Sequence, residues 1–229
     1  MKAVVLAAGK GTRMLPITLK KPKPLVKVAG KPFLEHLITN LQGSGYSDIG
    51  IVVGYKKKMV ESFVQSKGWE FKLIEQKEQT GTGSAVKMCK NFAGKGEFVV
   101  VMGDNLYSPR DLARLAKMKG NCVSVAKGDP SRYGAVVKDN GFLKEIVEKP
   151  QEYVSSLINV GLYRFTPEIF AALSKTKFSP RGELELTDAV NLMAKSSKVR
   201  VLELKDYWLD LAKPEDIYTI SEFVLKNAK

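Results

Sequence analysis

The segment that follows the first apolar run of this chain could hold phosphate groups. Residues 3–8 are apolar, and Gly9-Lys10-Gly11-Thr12-Arg13 follows them directly. Glycine lets backbone N–H groups approach an anion without a Cβ in the way, and the two cationic side chains offset negative charge. A second cationic stretch, Pro22-Lys23-Pro24, comes a short way along the chain. We therefore predict a phosphate-binding loop at the end of a buried strand.

Two common phosphate loops do not fit this segment. The dinucleotide pattern G-x-G-x-x-G needs glycine where Met14 stands, and the next predicted strand, at 49–53, offers no acid for a ribose. The Walker A pattern matches no stretch of the chain. A third interpretation gives the glycines only the role of fitting a tight turn. Arg13 and Lys23 favour phosphate binding over that interpretation.

Two aspartates could hold a divalent cation beside such phosphates. Asp104 comes just after the apolar run 98–102, and Asp210 ends the strand-like stretch 207–210. Mg²⁺ takes one or two protein carboxylates and fills its other positions with water and phosphate oxygens. Taken alone, Asp104 could be a turn-former and Asp210 a solvated loop acid. We predict that the pair binds Mg²⁺ on a triphosphate.

Histidine chemistry has no good candidate here. The single histidine, His36, lies within a helix predicted at 32–41, and we interpret it as a packing or surface residue. Covalent nucleotidyl transfer through histidine and general-base catalysis by histidine are therefore not expected. A phosphate monoester needs no base, because its second pKa is about 6 and it is a dianion at neutral pH. Such a nucleophile has to be positioned and its charge offset.

Composition and charge exclude several classes of function. The 229 residues carry a formal net charge of +13, with lysines clustered at 20–31 and 56–58. We interpret the first cluster as a field that gathers small polyanions and the second as a solubilising surface. No run interleaves aromatic and basic residues in the way a nucleic-acid platform needs. The apolar run at 3–8 is too short for a signal peptide, and nothing reaches the length of a membrane span.

The two cysteines, Cys89 and Cys122, have no metal-ligand spacing. We predict that both are reduced core thiols of a cytoplasmic protein. No nucleic-acid or membrane partner is expected.

The order of predicted elements indicates an α/β fold. Strands are predicted at 3–8, 49–53, 70–75, 98–102, 122–126, 158–165 and 199–204, and helices at 32–41, 57–66, 84–91, 109–119 and 184–195 and from 167 and 214. Asp139-Asn140-Gly141 predicts a β-hairpin within 133–150. The alternation predicts a Rossmann-like mixed, mostly parallel sheet with helices on both faces and the hairpin inserted. Ligands of such sheets bind beyond the carboxyl ends of the strands. That rule places Gly9, Gln76, Asp104 and Glu148-Lys149 along one rim.

Along nearly its whole length the chain resembles the sugar-1-phosphate nucleotidylyltransferases. The most specific match is Leu6-Ala7-Ala8-Gly9-x-Gly11-Thr12-Arg13-Met14 followed by Pro22-Lys23, the family's L-A-A-G-x-G-T-R-(M/L) and P-K. The resemblance implies the nucleotide-diphospho-sugar transferase fold and a Mg²⁺-assisted in-line transfer from a nucleoside triphosphate to a sugar 1-phosphate, with release of pyrophosphate. The likeness is closest to the short thymidylyl- and uridylyltransferases, whose helical region Gly182–Asp188 also fits. No hexapeptide repeat is present, so the acetyl transfer of bifunctional members is not supported.

The resemblance also implies roles for individual residues. The nucleotide-binding set is Leu6, Ala7, Ala8, Gly9, Gly11, Thr12, Arg13, Lys23, Gln76, Gly81, Thr82 and Gly103. The sugar-phosphate set is Tyr133, Gly134, Glu148, Lys149, Asn159 and Gly161, and the metal residues are Asp104 and Asp210. The expected catalytic residues are Arg13 on the β- and γ-phosphates, Lys23 between the reacting phosphates, Asp104 on the metal, and Lys149 on the sugar phosphate.

The sequence leaves the donor, the acceptor and the oligomeric state open. The donor is UTP, dTTP or CTP, with a pyrimidine favoured by the segment at 76–82, and the acceptor is glucose 1-phosphate, N-acetylglucosamine 1-phosphate or another sugar phosphate. A cytidylyl- or guanylyltransferase acting on another phosphorylated alcohol is one alternative, and a non-catalytic nucleotide-sugar-binding subunit is another. Residues 1–229 are expected to form one domain, with a nucleotide half at about 1–127 and a sugar-phosphate half at about 128–229. A homo-oligomer is left open.

Overall fold

A computed structural model describes residues 1–227, and these form thirteen strands and nine α-helices. The strands are β1 (Lys2–Ala7), β2 (Lys27–Val28), β3 (Lys31–Pro32), β4 (Asp48–Val53), β5 (Lys72–Glu75), β6 (Phe98–Met102), β7 (Asn105–Tyr107), β8 (Cys122–Lys127), β9 (Gly134–Asp139), β10 (Phe142–Glu148), β11 (Leu157–Phe165), β12 (Arg200–Glu203) and β13 (Trp208–Asp210). The helices are α1 (Ile17–Lys20), α2 (Phe33–Gly43), α3 (Lys57–Ser66), α4 (Thr82–Met88), α5 (Lys90–Ala93), α6 (Pro109–Ala116), α7 (Glu168–Lys175), α8 (Leu186–Ser196) and α9 (Asp216–Asn227).

The main sheet contains nine strands in the order β5-β4-β1-β6-β11-β8-β12-β10-β9. The first four are mutually parallel. Antiparallel pairing enters with β11, which runs opposite to both β6 and β8, because the chain reaches it from the β9–β10 hairpin without a helical crossover. The predicted mixed α/β sheet with an inserted hairpin is confirmed.

Apolar side chains cover both faces of this sheet. In β1, alternate residues enter opposite clusters: Ala3 and Val5 pack on one face, and Val4 packs on the other. This arrangement is the one that a strand buried on both faces requires. Helix α2 adds one apolar stripe to the first cluster, including Phe33 and Leu37.

A short two-stranded ribbon was not predicted as such. Strand β7 pairs antiparallel with β13, so that Asn105 lies opposite Asp210 and Tyr107 opposite Trp208. Each strand has only three residues, which is too few for a period of two to be recognised in the sequence. The predicted helix at 84–91 is divided at Cys89 between α4 and α5.

The remaining sequence interpretations also have structural outcomes. Nε2 of His36 lies 2.8 Å from the carbonyl oxygen of Val28, so the side chain has a packing role. Cys89 and Cys122 are free and buried, and burial raises the pKa of each thiol to about 12. Among residues 1–227, no helix has the length and apolar character needed to cross a bilayer.

Arg164 of β11 joins the sheet to the end of α6 and also forms an ion pair with Glu97. Arg164 is buried, and its guanidinium donates to the Glu97 carboxylate at 2.9 Å and to the carbonyl oxygen of Ala116 at 2.7 Å. Burial acts to raise the pKa of the Glu97 carboxyl, but the Arg164 hydrogen bond and the Gly120 amide together lower it.

We expect Glu97→Gln to lower the free energy of unfolding by about 3 kcal/mol at neutral pH, because it leaves the buried Arg164 charge without its partner. Urea unfolding measures the loss. The loss should shrink as the pH falls through the lowered pKa of Glu97, since the native carboxyl is then also neutral. Glu222→Gln is the control, because its ion pair with Lys226 is wide and exposed. Equal small effects of the two variants would contradict the prediction.

Candidate active site

A cavity of about 600 Å³ opens beyond the carboxyl ends of β1 and β6. All twelve residues of the predicted nucleotide-binding set line it, together with Asp104. Its other lining residues are Lys10, Pro24, Gln79, Ala85, Met102 and Glu183. The position agrees with the rule that ligands of such sheets bind at the carboxyl ends of the strands.

The loop after β1 is shaped by close backbone contacts. Gly11 has a φ of +65°, and a Cβ on it would lie 3.1 Å from Cβ of Lys23. The Thr18 hydroxyl donates to the carbonyl oxygen of Gly11 at 3.0 Å. Met14 is fully buried in the core, so it anchors the loop at the position where a dinucleotide loop would need glycine. The contacts of Gly11 and Met14 therefore fix the loop along the cavity wall.

A second close approach lies at the end of β6. The amide of Gly103 donates to the carbonyl oxygen of Leu6 at 2.9 Å. A Cβ on Gly103 would lie 2.7 Å from that same oxygen. Only glycine fits here, and the contact sets Asp104 beside the loop that follows β1.

The β7–β13 ribbon brings the two predicted metal residues together. Asp104 immediately precedes β7, and Asp210 ends β13 opposite Asn105. The amide of Leu211 donates to the carbonyl oxygen of Asp104 at 2.9 Å, which closes the ribbon. Nζ of Lys23, itself buried, lies 2.6 Å from Oδ2 of Asp104.

Neighbouring charges and burial shift the pKa values of Asp210 and Tyr133. Burial raises the pKa of the Asp210 carboxyl, and the Asp104 carboxylate raises it further, while Lys23 and Arg13 act in the opposite direction. The Tyr133 hydroxyl donates to Oδ2 of Asp210 at 3.0 Å. Burial, followed by the Asp210 charge, raises the pKa of Tyr133 to about 12. Arg13, Lys23, Asp104 and Asp210 thus belong to one electrostatic neighbourhood.

The donor set fits a hard divalent cation that is shared with a ligand. Within residues 1–227, no group of three or more histidine, cysteine, aspartate or glutamate residues could form a metal cage. Two carboxylates with room for water and phosphate oxygens are the protein ligation that Mg²⁺ takes. Asp104 and Asp210 are the residues that could hold it.

The predicted base-reading segment is fixed from both sides. Gln76 is buried, its amide Nε2 donating to the carbonyl oxygen of Gly81 at 3.1 Å. Gly81 has a φ of +102°, and a Cβ on it would lie 2.6 Å from the carbonyl oxygen of Leu184. The amide of Gly83 donates to that carbonyl at 2.7 Å, and the amide of Leu184 donates to Thr80 at 2.8 Å.

Glu183 lines the cavity but is not distinctive in the sequence. It precedes Leu184 and so enters the cavity wall with the segment that covers the base-reading loop. Burial, then the neighbouring Glu185, raises the pKa of its carboxyl. In the sequence it belongs to an acidic helix start, and acidic residues are ordinary there.

The predicted sugar-phosphate set forms a second group next to the cavity, and none of its residues is part of the lining formed by the described chain. Gly134 pairs with Glu148 across the hairpin. The Lys149 amide donates to the carbonyl oxygen of Tyr133 at 3.3 Å. A Cβ on Gly161 would lie 2.5 Å from Cγ of Met102, a cavity residue.

Two side chains of this second group already have protein partners. Oδ1 of Asn159 accepts from the Gly161 amide at 3.2 Å, and its Nδ2 donates to the Tyr163 hydroxyl at 2.6 Å. The Glu148 side chain reaches solvent, but the protein atoms around its carboxyl displace water and raise its pKa. Asn159 therefore shapes a bulge in β11, whereas the Glu148 carboxyl lies beside the Thr187 hydroxyl and keeps further acceptor capacity.

Known proteins are similar to this chain in sequence and in structure. Residues 2–227 match the family described as "Nucleotidyl transferase". The chain is 38% identical over 231 residues to a bifunctional sugar-1-phosphate nucleotidylyltransferase/acetyltransferase of Sulfurisphaera tokodaii, covering 99% of this chain and 56% of that protein. It is 35% identical over 228 residues to a UTP–glucose-1-phosphate uridylyltransferase of Haloferax volcanii, covering 94% and 93%. A structure of UDP-glucose pyrophosphorylase complexed with UDP-glucose is 27% identical, with a TM-score of 0.88 and 98% of each chain covered. The chain spans little more than half the length of several relatives that it matches.

We expect Asp210→Asn to raise the free energy of unfolding of the protein without metal by about 1 kcal/mol. The reason is that it removes a charge that burial and Asp104 both disfavour. Because the pKa of Asp210 is raised, its ionisation costs stability as the pH rises through that pKa. The variant should therefore lose less stability than the native protein between acidic and neutral pH. Thermal unfolding in a chelator measures this, and a variant with the native pH dependence would contradict it.

Proposed function

Because the chain belongs to the nucleotidyl transferase family, we propose that it transfers a nucleotidyl group from UTP or dTTP to a sugar 1-phosphate and releases pyrophosphate. The acceptor that we propose is glucose 1-phosphate or N-acetylglucosamine 1-phosphate. One observation carries the proposal: Arg13, Lys23, Asp104 and Asp210 meet beside a cavity lined by the whole predicted nucleotide-binding set. The relatives that carry such activities in their names support the substrate class.

The reaction needs charge control more than proton transfer. An oxygen of the sugar 1-phosphate forms a bond to the α-phosphorus, and the bond from that phosphorus to the bridging oxygen of the pyrophosphate breaks. The attacking group is already a dianion, so no general base is required. Arg13 and Lys23 offset the charge of the phosphates and hold them in line. Asp104 and Asp210 would hold Mg²⁺, which when bound offsets the charge of the triphosphate.

The orientation of the Gln76 amide supports uracil or thymine over cytosine. One N–H of its Nε2 donates to the carbonyl oxygen of Gly81, and in this proposal Oε1 accepts a hydrogen bond from the base. The N3 position of uracil and thymine donates a hydrogen bond, whereas N3 of cytosine accepts one. Two facing acceptors repel, so a site built this way rejects CTP.

The second group of residues would bind the acceptor. In this proposal Lys149 binds the sugar phosphate, and Glu148 accepts hydrogen bonds from sugar hydroxyls. Gly134 and Gly161 let the backbone of this wall approach the side chains of Ile146 and Met102 closely. Tyr133 and Asn159 shape the same wall, and their side chains already have protein partners. We place nucleotide binding in about 1–127 and acceptor binding in about 128–229. A cytoplasmic location and a homo-oligomer stay predictions.

A matrix of nucleoside triphosphates against sugar phosphates, read by pyrophosphate release with Mg²⁺, tests the proposal. We expect turnover with UTP or dTTP and a hexose 1-phosphate. Lys23→Ala should reduce kcat/KM by at least about 100-fold, because it removes a buried cation from the reacting phosphates. Lys58→Ala is the control, since Lys58 is exposed in α3 and belongs to the lysine cluster interpreted as a solubilising surface. Release that depends on no sugar phosphate, or that is unaffected by Lys23→Ala, would contradict the proposal and favour a binding subunit.

The same assay tests base selection. We expect the native protein to prefer UTP or dTTP to CTP by at least about 100-fold in kcat/KM, because a mispaired acceptor is left buried with CTP. Gln76→Ala should reduce that ratio by lowering the value for UTP while changing the value for CTP little. Lys77→Ala, at an exposed neighbour, should leave the ratio unchanged. A ratio that survives Gln76→Ala would show that another group reads the base.

A further inference from the structure

The two metal carboxylates are joined by an unbroken chain of side-chain contacts. The Tyr133 hydroxyl donates to Oδ2 of Asp210 at 3.0 Å. The Tyr133 ring packs edge-on against Trp208, with centroids 5.3 Å apart and planes at 70°. Nε1 of Trp208 donates to Oδ1 of Asn105 at 2.5 Å, and Nδ2 of Asn105 donates to Oδ1 of Asp104 at 2.9 Å.

We propose that Tyr133, braced by Trp208, is a positioning residue for the metal site, orienting Asp210 while Asn105 orients Asp104. The inference rests on the proposed function, because it assigns these residues to the Mg²⁺ site of that reaction. Tyr133 is predicted as a sugar contact, and its hydroxyl donates to Asp210.

Each bond in the chain constrains a carboxylate without blocking it. A carboxylate offers about four lone-pair sites, so one hydrogen bond from Tyr133 leaves Asp210 free to ligate. Asp104 is held at Oδ1 by Asn105 and lies near Lys23 through Oδ2. Without these donors the two like charges would rotate apart to reduce their repulsion. The donors therefore hold the pair in an arrangement that it would not keep alone.

The pairing of β13 with β7 fixes the position of Trp208 in this series of contacts. Trp208 lies opposite Tyr107 in the ribbon, and Tyr107 is fully buried, with its hydroxyl donating to the carbonyl oxygen of Val160 at 2.8 Å. Asn105 is also buried. The brace therefore packs against the core, and Tyr133 is its one member from the predicted sugar-phosphate set.

Tyr133 also connects the metal site to the hairpin. Its carbonyl oxygen accepts the hydrogen bond of the Lys149 amide, and Lys149 has a φ of +42°, which a non-glycine residue rarely adopts. The residue that orients Asp210 thus also fixes the backbone of the predicted sugar-phosphate lysine. Loss of the hydroxyl alone should affect the metal and leave that backbone contact in place.

Mn²⁺ titration of the full chain tests the inference without turnover. Outer hydrogen-bond partners of metal ligands typically contribute 10- to 100-fold to metal affinity, so Tyr133→Phe should weaken Mn²⁺ binding by about 10-fold in calorimetry. Trp208→Phe, which removes the indole donor, should weaken it similarly. Tyr218→Phe is the matched control, because the Tyr218 hydroxyl contacts the Glu222 carboxylate on α9, and it should bind as the native protein does.

Fluorescence supplies a local readout of the same event. The chain has two tryptophans, so Trp69→Phe leaves Trp208 as the only emitter, and Mn²⁺ bound nearby should quench it saturably. Adding Tyr133→Phe should move the quenching midpoint about 10-fold higher, with the urea midpoint close to that of the Trp69→Phe parent.

The outcomes separate the two proposals. If Asp210→Asn abolishes Mn²⁺ binding but Tyr133→Phe leaves it native, the positioning role is wrong and the metal site stands. If Asp210→Asn leaves binding native as well, the metal site of the proposed function is itself wrong. If Tyr133→Phe weakens binding and lowers the urea midpoint to the same extent as Glu97→Gln, the effect is general destabilisation, and the positioning role is overturned.

Discussion

The site depends on keeping two carboxylates side by side in a partly buried place. Burial and the neighbouring Asp104 carboxylate raise the pKa of Asp210, and Lys23, whose Nζ lies 2.6 Å from Oδ2 of Asp104, acts in the opposite direction. Like charges in a medium of low polarity separate unless the surrounding structure prevents it. Here the β7–β13 ribbon prevents it, because its register fixes Asp210 opposite the residue that follows Asp104. The rest of the fold supplies a rigid base for that ribbon.

The glycines around the cavity serve the same end. Gly103 brings the end of β6 against β1, which sets Asp104 close to the loop that follows β1. Gly11 lets Lys23 pass close behind that loop. A side chain at either position would push the cations and carboxylates apart. Close backbone approach is thus what concentrates the opposing charges in one place.

The nine strands of the main sheet and most helices were predicted from the sequence, because their apolar periodicities are long and regular, as in β1 and α2. It also predicted the loop after β1, since Gly9, Gly11 and Arg13 are chemically distinctive there. It indicated a strand-like stretch at 207–210, which contains β13, but it did not predict strand β7 or the pairing of the two, because three residues carry no period. The contact of Tyr133 with Asp210 spans 77 residues of sequence, and no local pattern encodes it. Glu183 was not predicted for a related reason: the hydrogen bonds of Leu184 with Thr80 and Gly83, distant in sequence, bring it to the cavity.

The base-reading loop shows why the two predicted halves cannot be understood separately. The amide of Gly83 donates to Leu184, the amide of Leu184 donates to Thr80, and the amide of Leu186 donates to the hydroxyl of Thr82. The predicted base-reading segment is therefore held by the chain that begins α8, which belongs to the predicted acceptor half. The β7–β13 ribbon makes a second connection, because it pairs Asn105 of one predicted half with Asp210 of the other. Each predicted half therefore completes the other's group of predicted site residues through backbone pairing.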